Sequence, residues 1–268
     1  MRRTGIPAYS LKKFRNENMF KNAYSVIKLY YDILEKEGYM KMENHIYKYE
    51  MHIHSSPCSG GGRDIREHID ELISKGYSGM VITNHFFLGD TRIDRNLPWE
   101  EFVDAYRQDY LRGLEYGREL DFDLLFGLEE HVGNGQEILL YGITPELIAA
   151  HPELKRASAE KYAEVVHSAG GLVYQAHPYR ARYYVKAPFP LECLDLLDGI
   201  EVYNAANEPE WNESAQHLAD ELGLACVAGS DGHTTAGHAG IAVKERIRNN
   251  DDLVRILKGR EYTILRNK

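Results

Sequence analysis

The sequence predicts an α/β fold with a mainly parallel sheet. Short apolar runs that read as buried strands recur from Tyr47 to Leu265, and stretches with helical apolar spacing separate them. In addition, residues able to bind metal close one strand after another. About seven strands fit a barrel. An open doubly wound sheet is the alternative, but its Gly-rich phosphate fingerprint is missing after the first strand.

Taken in order, Tyr47–His54 reads as the first strand. Successive strand side chains point to opposite faces, so His52 and His54 share one face while Met51 and Ile53 take the other. Ser55–Gly62 is a loop rich in turn residues. Asp64 with Glu67 makes a capping box for a helix striped by Ile65, Ile69, Leu72 and Ile73, and Gly76 ends it. Gly79–Thr83 is a buried strand that delivers Asn84-His85. A loop through Pro98 leads to a long helix over about residues 100–119, with Phe102, Tyr106 and Leu114 among its apolar positions. Leu124–Glu129 and Glu137–Tyr141 are the next strands. A helix over about 158–169 precedes the strand Gly171–Ala176, which ends at His177-Pro178. A short helix near 191–197 and the strand Gly199–Tyr203 follow. The helix over about 208–222 has Asn207 as its cap and Pro209 in its first turn. Leu224–Ala228 is a strand running to Ser230-Asp231-Gly232-His233, and a strand–helix–strand closes the chain near Leu265.

Residues 1–45 differ from the main domain at 46–268. They are basic and aperiodic to Asn18, then carry Phe20, Tyr24, Ile27, Tyr31 and Leu34 at helical spacing up to Gly38. The readings are a helical extension, a poorly ordered one, or a start placed too early, since Met40 and Met42 lie just before the first strand.

The formal net charge of -9 argues against a general nucleic-acid binder, while leaving room for a local basic pocket for one phosphate. No apolar run approaches the ~20 residues needed to span a bilayer, and no signal-peptide core opens the chain. Cys58, Cys193 and Cys226 form no CxxC pair, which suits a reducing cytoplasm.

His52 and His54, His85, Glu129, His177, and Asp231 with His233 each fall at the C-terminal end of a predicted strand. In a barrel of parallel strands those ends converge on one face. So many imidazoles and carboxylates in one cavity would repel or stay unpaired without cations among them, and two or three divalent ions solve that problem. Glu129, with two oxygens, is a natural bridge. Single members have bland readings: Asp231-Gly232-His233 alone is a turn, and His151-Pro152 repeats the His177-Pro178 dipeptide merely before a helix. The joint pattern carries the argument. His45, His68, His167 and His217 read as surface or packing residues, and His131 shares the face of Glu129 if that strand continues.

The motifs His52-Ile53-His54, Thr83-Asn84-His85, Gly127-Leu128-Glu129, Ala176-His177-Pro178 and Gly229-Ser230-Asp231-Gly232-His233, in this order, resemble the PHP (polymerase and histidinol phosphatase) family over about residues 49–266. The resemblance implies a distorted, TIM-like (β/α)7 barrel holding up to three zinc, manganese or iron ions, and phosphoester hydrolysis. It places His52, His54, Glu129 and Asp231 on one metal, Glu129, His85 and His177 at a neighbouring one, and His233 at a third. His177, His233 and Asp231 become the catalytic candidates.

Three positions depart from the family pattern. Pro57-Cys58-Ser59-Gly60 lacks the expected loop ligand, Glu137 stands where a histidine is common, and Asn84 replaces an aspartate. Glu137 can still ligate as a carboxylate, and Cys58 is open as a thiolate ligand. Arg180 is placed to fork onto phosphate oxygens of a small phosphorylated substrate, and Tyr179, Tyr183 and Tyr184 to wall it. A metal-binding regulatory module without hydrolysis is the competing expectation.

Overall fold

The computed structural model describes residues 45–58 and 62–266; the N-terminal helical expectation and residues 59–61 of the first loop lie outside them. The α/β expectation holds, but ten strands replace the expected seven and they form two mixed sheets. In the first, β1 (Tyr47–Glu50), β2 (Gly79–Ile82) and β3 (Asp123–Phe126) run parallel. β9 (Ala239–Val243) pairs antiparallel with β1, and β10 (Tyr262–Arg266), reached through the helix Asn250–Gly259, pairs antiparallel with β9. In the second, β4 (Leu128–Gly133), β5 (Gln136–Tyr141), β6 (Leu172–Gln175), β7 (Gly199–Asn204) and β8 (Ala225–Gly229) lie in chain order. Here β5 is antiparallel to both neighbours.

That direction corrects the parallel expectation. Only Asn134 and Gly135 separate β4 from β5, too few for a crossover. Both have positive φ (55° and 79°), as a two-residue hairpin turn of this sequence demands. The predicted strand Leu124–Glu129 is also two strands, β3 and β4, divided at Gly127. A Cβ there would lie 2.8 Å from the Leu140 carbonyl oxygen and from Val81 Cγ1, so glycine lets the chain pass between sheets.

Among the described residues the ladders do not close into one barrel. Two seams join the sheets instead. Past β1, Ile53 bridges Gly232 in parallel, with His54 N–H donating to the Gly232 carbonyl and Asp231 N–H to that of His52 (2.7 Å). Past β2, His85 bridges Glu129, and Phe86 N–H donates to the Glu129 carbonyl (2.8 Å). Regular pairing ends where the polar motifs begin.

Helices pack outside. In α1 (Ile65–Ser74), Ile65, Ile69 and Leu72 are buried while Ile73 turns toward solvent. Asp64 caps α1 by accepting from Arg66 N–H. The capping box does not form, because Glu67 pairs with Arg63 instead. The long α2 (Trp99–Glu119) crosses α1 where Gly113 leaves room for the Ile65 side chain. The remaining helices are α3 (Pro145–Ala149), α4 (Ala159–Ser168), α5 (Pro209–Leu222) and α6 (Asn250–Gly259), and a single 3-10 turn, Leu194–Leu196, stands for the helix expected near 191–197. Glu208 rather than Asn207 occupies the cap of α5. The interior between the sheets is filled by Tyr49, Met51, Val81, Leu139, Tyr141, Tyr174, Val227 and Ile241.

Candidate metal centre

His52 and His54 lie just beyond the last β1 residue, held by the seam to Asp231 and Gly232 rather than by a ladder. Their Nε2 atoms converge to 3.2 Å. Each also faces carboxylates: His52 Nε2 is 3.2 Å from Glu129 Oε1, and His54 Nε2 is 3.0 Å from Asp231 Oδ1. Behind His52, Nδ1 meets Glu201 Oε1 at 2.9 Å. A carboxylate there holds the proton on Nδ1 and presents Nε2 as a bare lone pair, the usual support of a metal-binding imidazole.

The second seam supplies Glu129 and His85. Glu129 lies at the centre: Oε1 is 3.0 Å from His177 Nε2, and Oε2 is 2.8 Å from His85 Nδ1 and 3.4 Å from His54 Nε2. Glu137 on β5 joins through Oε2, 3.4 Å from His177 Nε2, and Oε1, 3.9 Å from His85 Nδ1. Three donor groups result: His52, His54, Glu129 and Asp231; His85, Glu129 and Glu137; and His54, His85 and His233. His177 lies against the second group without completing one of its own.

Two of these residues have backbones that L-residues seldom adopt, with φ of 27° at His177 and 52° at Asp231. Each amide is anchored: His177 N–H donates to Glu201 Oε2 (3.0 Å), and Asp231 N–H to the His52 carbonyl. The strain buries His177 against Glu129 and turns Asp231 to the cluster. Arg180 fills the next layer, Nη2 at 2.5 Å from Asp231 Oδ2 and Nε donating to Asn207 Oδ1. Asn207, expected as a helix cap, is therefore a partner of Arg180.

The donor set fits divalent cations. Glu129 Oε2 and His85 Nδ1 lie close but are not aligned for a hydrogen bond, and each is buried without any other hydrogen-bond partner. Buried polar atoms in native proteins are rarely orphaned, so two together point to a missing cation. Charge agrees. Burial and then the Glu129 carboxylate push the Glu137 carboxyl up to about 8, which a cation between them would reverse. Burial lowers His52, but Glu201, Glu129 and Asp231 outweigh it and hold the imidazole well above its ordinary range. Burial likewise opposes ionisation of Asp231, yet Arg180 and His52 keep it well below the usual carboxylate range. Imidazole with carboxylate suits zinc, manganese or iron.

The cluster forms the floor of a cavity of about 760 Å³, where His85, Glu137, Asp231 and His233 meet a wall of Arg180, Arg182, Tyr183 and Tyr184. Tyr183 and Tyr184 contact each other edge to face at the rim. Arg182 stacks on Trp211, 5.3 Å from the ring centre.

Residues 209–262 match a family model described as PHP-associated. A two-domain protein from Bacteroides vulgatus, described as containing a predicted PHP-like metal-dependent phosphoesterase, superposes with a TM-score of 0.61 at 16% identity, over 85% of this chain and 67% of that one. A metal-dependent phosphoesterase from Bifidobacterium adolescentis gives 0.52 at 17% identity, over 79% and 96%. This chain shares the fold of these two PHP-like structures. A lesion-specific endonuclease from Pyrococcus furiosus shares the fold with a TM-score of 0.56 at 13% identity, over 82% of this chain but only 58% of that one. A search of curated protein sequences found no match.

Sequence reasoning missed several residues that support the candidate centre. Glu201 is buried, binds His52 Nδ1 and the His177 amide, and receives Asn204 Nδ2 at 2.9 Å. A carboxylate inside the apolar run Gly199–Tyr203 needs a partner, and that signal was available. Glu50 Oε1 accepts the amides of Met51, His52 and Ser230, tying the first seam together. Asn84 ligates nothing: its Oδ1 accepts Ser55 N–H (2.6 Å) and its Nδ2 donates to the Ser55 hydroxyl. His131 Nε2 accepts Gly135 N–H and braces the hairpin turn. Cys58 falls in none of the donor groups; its sulfur faces His54 Nδ1, and burial pushes its thiol pKa up, away from a thiolate. His68, expected at the surface or in packing, is fully buried.

Proposed function

We propose that this chain is a PHP-like metal-dependent phosphoesterase acting on a small phosphorylated substrate. The observation that carries the reading is the orphaned pair Glu129 Oε2 and His85 Nδ1 at the floor of a cavity whose wall carries Arg180. His52, His54, Glu129 and Asp231 would hold one divalent ion and His85, Glu129 and Glu137, with His177 alongside, a second, while His233 would serve a third. Bound there, such ions would make water acidic enough to attack phosphorus near neutral pH and would draw charge from the phosphoryl oxygens.

The chain's own residues do the rest. Arg180, fixed by Asp231 and Asn207, keeps a rigid positive charge on the cavity wall where a phosphoryl oxygen would dock. His177, buried beside Glu129 and Glu137, is placed to join the second ion as a ligand. His233 is partly exposed on the cavity floor. Its Nδ1 is 3.4 Å from the Asp231 carbonyl, which leaves the other nitrogen free to ligate or to pass a proton to the leaving oxygen. Glu137, though not the common histidine, contributes two oxygens to the same floor. The two structurally similar phosphoesterases support this reading.

Elemental analysis followed by assays on p-nitrophenyl phosphate and bis-p-nitrophenyl phosphate with added manganese tests it. The expected result is bound metal and turnover, with His177→Ala losing both while keeping its far-ultraviolet circular dichroism. Bound metal without turnover on any phosphoester would overturn the enzyme reading and leave a regulatory metal-binding module.

A further inference from the structure

Cys58 sits where two ligand-bearing segments meet. Its buried sulfur is 3.5 Å from His54 Nδ1, accepts the His85 amide N–H at 3.2 Å, and lies 3.4 Å from Asn84 Oδ1. The proton positions follow from the partners. Ser55 N–H donates to Asn84 Oδ1 at 2.6 Å, so that atom is the amide oxygen and can only accept. The thiol hydrogen therefore goes to Asn84 Oδ1. With the thiol hydrogen on Asn84, the contact with His54 is a hydrogen bond in the tautomer that carries its proton on Nδ1 and donates it to the sulfur. That leaves Nε2 of His54 as a lone pair, aimed at Asp231 and Glu129.

We propose that Cys58 is a positioning residue of the metal centre: its thiol fixes the tautomer and ring direction of His54, as Glu201 does for His52, without ligating metal itself. The proposal rests on the metal-centre reading in that it takes His54 Nε2 as a ligand. Asn84 acquires a role with it. Anchored by Ser55, whose hydroxyl donates to buried Asp109 on α2, Asn84 orients the thiol that orients the histidine. A neutral sulfur is a weaker acceptor than a carboxylate, so His54 is the less strongly supported of the two imidazoles.

Three variants and three readouts test it. Cys58→Ala should weaken metal binding about 10–100-fold in a chelator competition, the usual effect of removing a ligand's hydrogen-bond partner. Cys58→Ser, which keeps one donor and one acceptor, should recover most of that loss, and Asn84→Asp should shift the balance because a carboxylate still accepts the thiol proton. The cobalt-substituted wild type should show no thiolate-to-cobalt charge-transfer band. Ring 15N spectra of the metal-free protein should show His54 protonated at Nδ1 in the wild type and mixed in Cys58→Ala. A charge-transfer band that disappears in Cys58→Ser would make Cys58 a ligand and overturn the proposal. So would Cys58→Ala with unchanged metal affinity and an unchanged His54 spectrum. Absence of phosphoester turnover would refute the enzyme reading and leave these readouts unaffected.

Discussion

His68 is a buried imidazole whose ring nitrogens meet no side-chain hydrogen-bond partner among the described residues. Burial first, and then Arg63, lower its pKa to about 4. In the unfolded chain it takes a proton near pH 6.5. Between these values the unfolded state binds a proton that the folded state refuses, so stability is lost as pH falls from 6.5 toward 4. At about 1.4 kcal/mol per unit, roughly 2 kcal/mol should be gone by pH 5. Urea midpoints at pH 7 and pH 5, taken in chelator so that metal plays no part, should therefore fall further for the wild type than for His68→Leu. Parallel falls would contradict the assignment. Glu201 makes a second prediction at this scale. Glu201→Gln removes the charge that makes His52 a strong donor and leaves one carbonyl oxygen where two carboxylate oxygens accept His52 Nδ1–H and the His177 amide. Metal affinity should drop about 10–100-fold, and the metal-free melting temperature should fall as well, because a buried donor loses its acceptor.

At the scale of elements, the two seams position the site. Gly229, the last residue of β8, passes so close to the extension of β1 that a Cβ would lie 2.1 Å from His52 Cβ. Gly229→Ala must push the first seam open. It should cost on the order of 3 kcal/mol of stability and release metal from the group containing His52 and His54, as seen in thermal melts and elemental analysis. A variant that melts and binds metal like the wild type would show that the seam is not rigid. The hairpin β4–β5 positions Glu129 and Glu137 on adjacent strands of one sheet. Its Asn134-Gly135 turn was a local signal in the sequence, and weighing the alternation of β4 and β5 against that dipeptide would have given the antiparallel pairing.

For the whole molecule, cations held by donors just past β1, β2 and β8 and on β4 and β5 would cross-link both sheets. They would bind the folded state and not the unfolded one. Free manganese or zinc at a hundred times its dissociation constant should therefore raise stability by about 2.7 kcal/mol, and chelator should remove that gain. Differential scanning calorimetry with and without chelator measures it; a metal-independent melt would argue against a filled centre. Among the described residues no helix is long and apolar enough to cross a membrane.

The sequence by itself determined the strand and helix order from Tyr47 onward, the buried apolar runs and the succession His52, His54, His85, Glu129, His177, Asp231, His233. Each of these is a local signal, a period of side chains or a residue at the end of a run. Tertiary structure decided what depends on distant contacts. Ten strands split into two sheets because Gly127 lets the chain change sheets and Asn134-Gly135 reverses it. The support of His52 comes from Glu201, 149 residues away, and no spacing along the chain encodes such a pairing. Cys58 was legible as a loop cysteine or as a thiolate ligand. Folding brings it beneath His54 and beside Asn84, and the direction of those hydrogen bonds gives its sulfur a role.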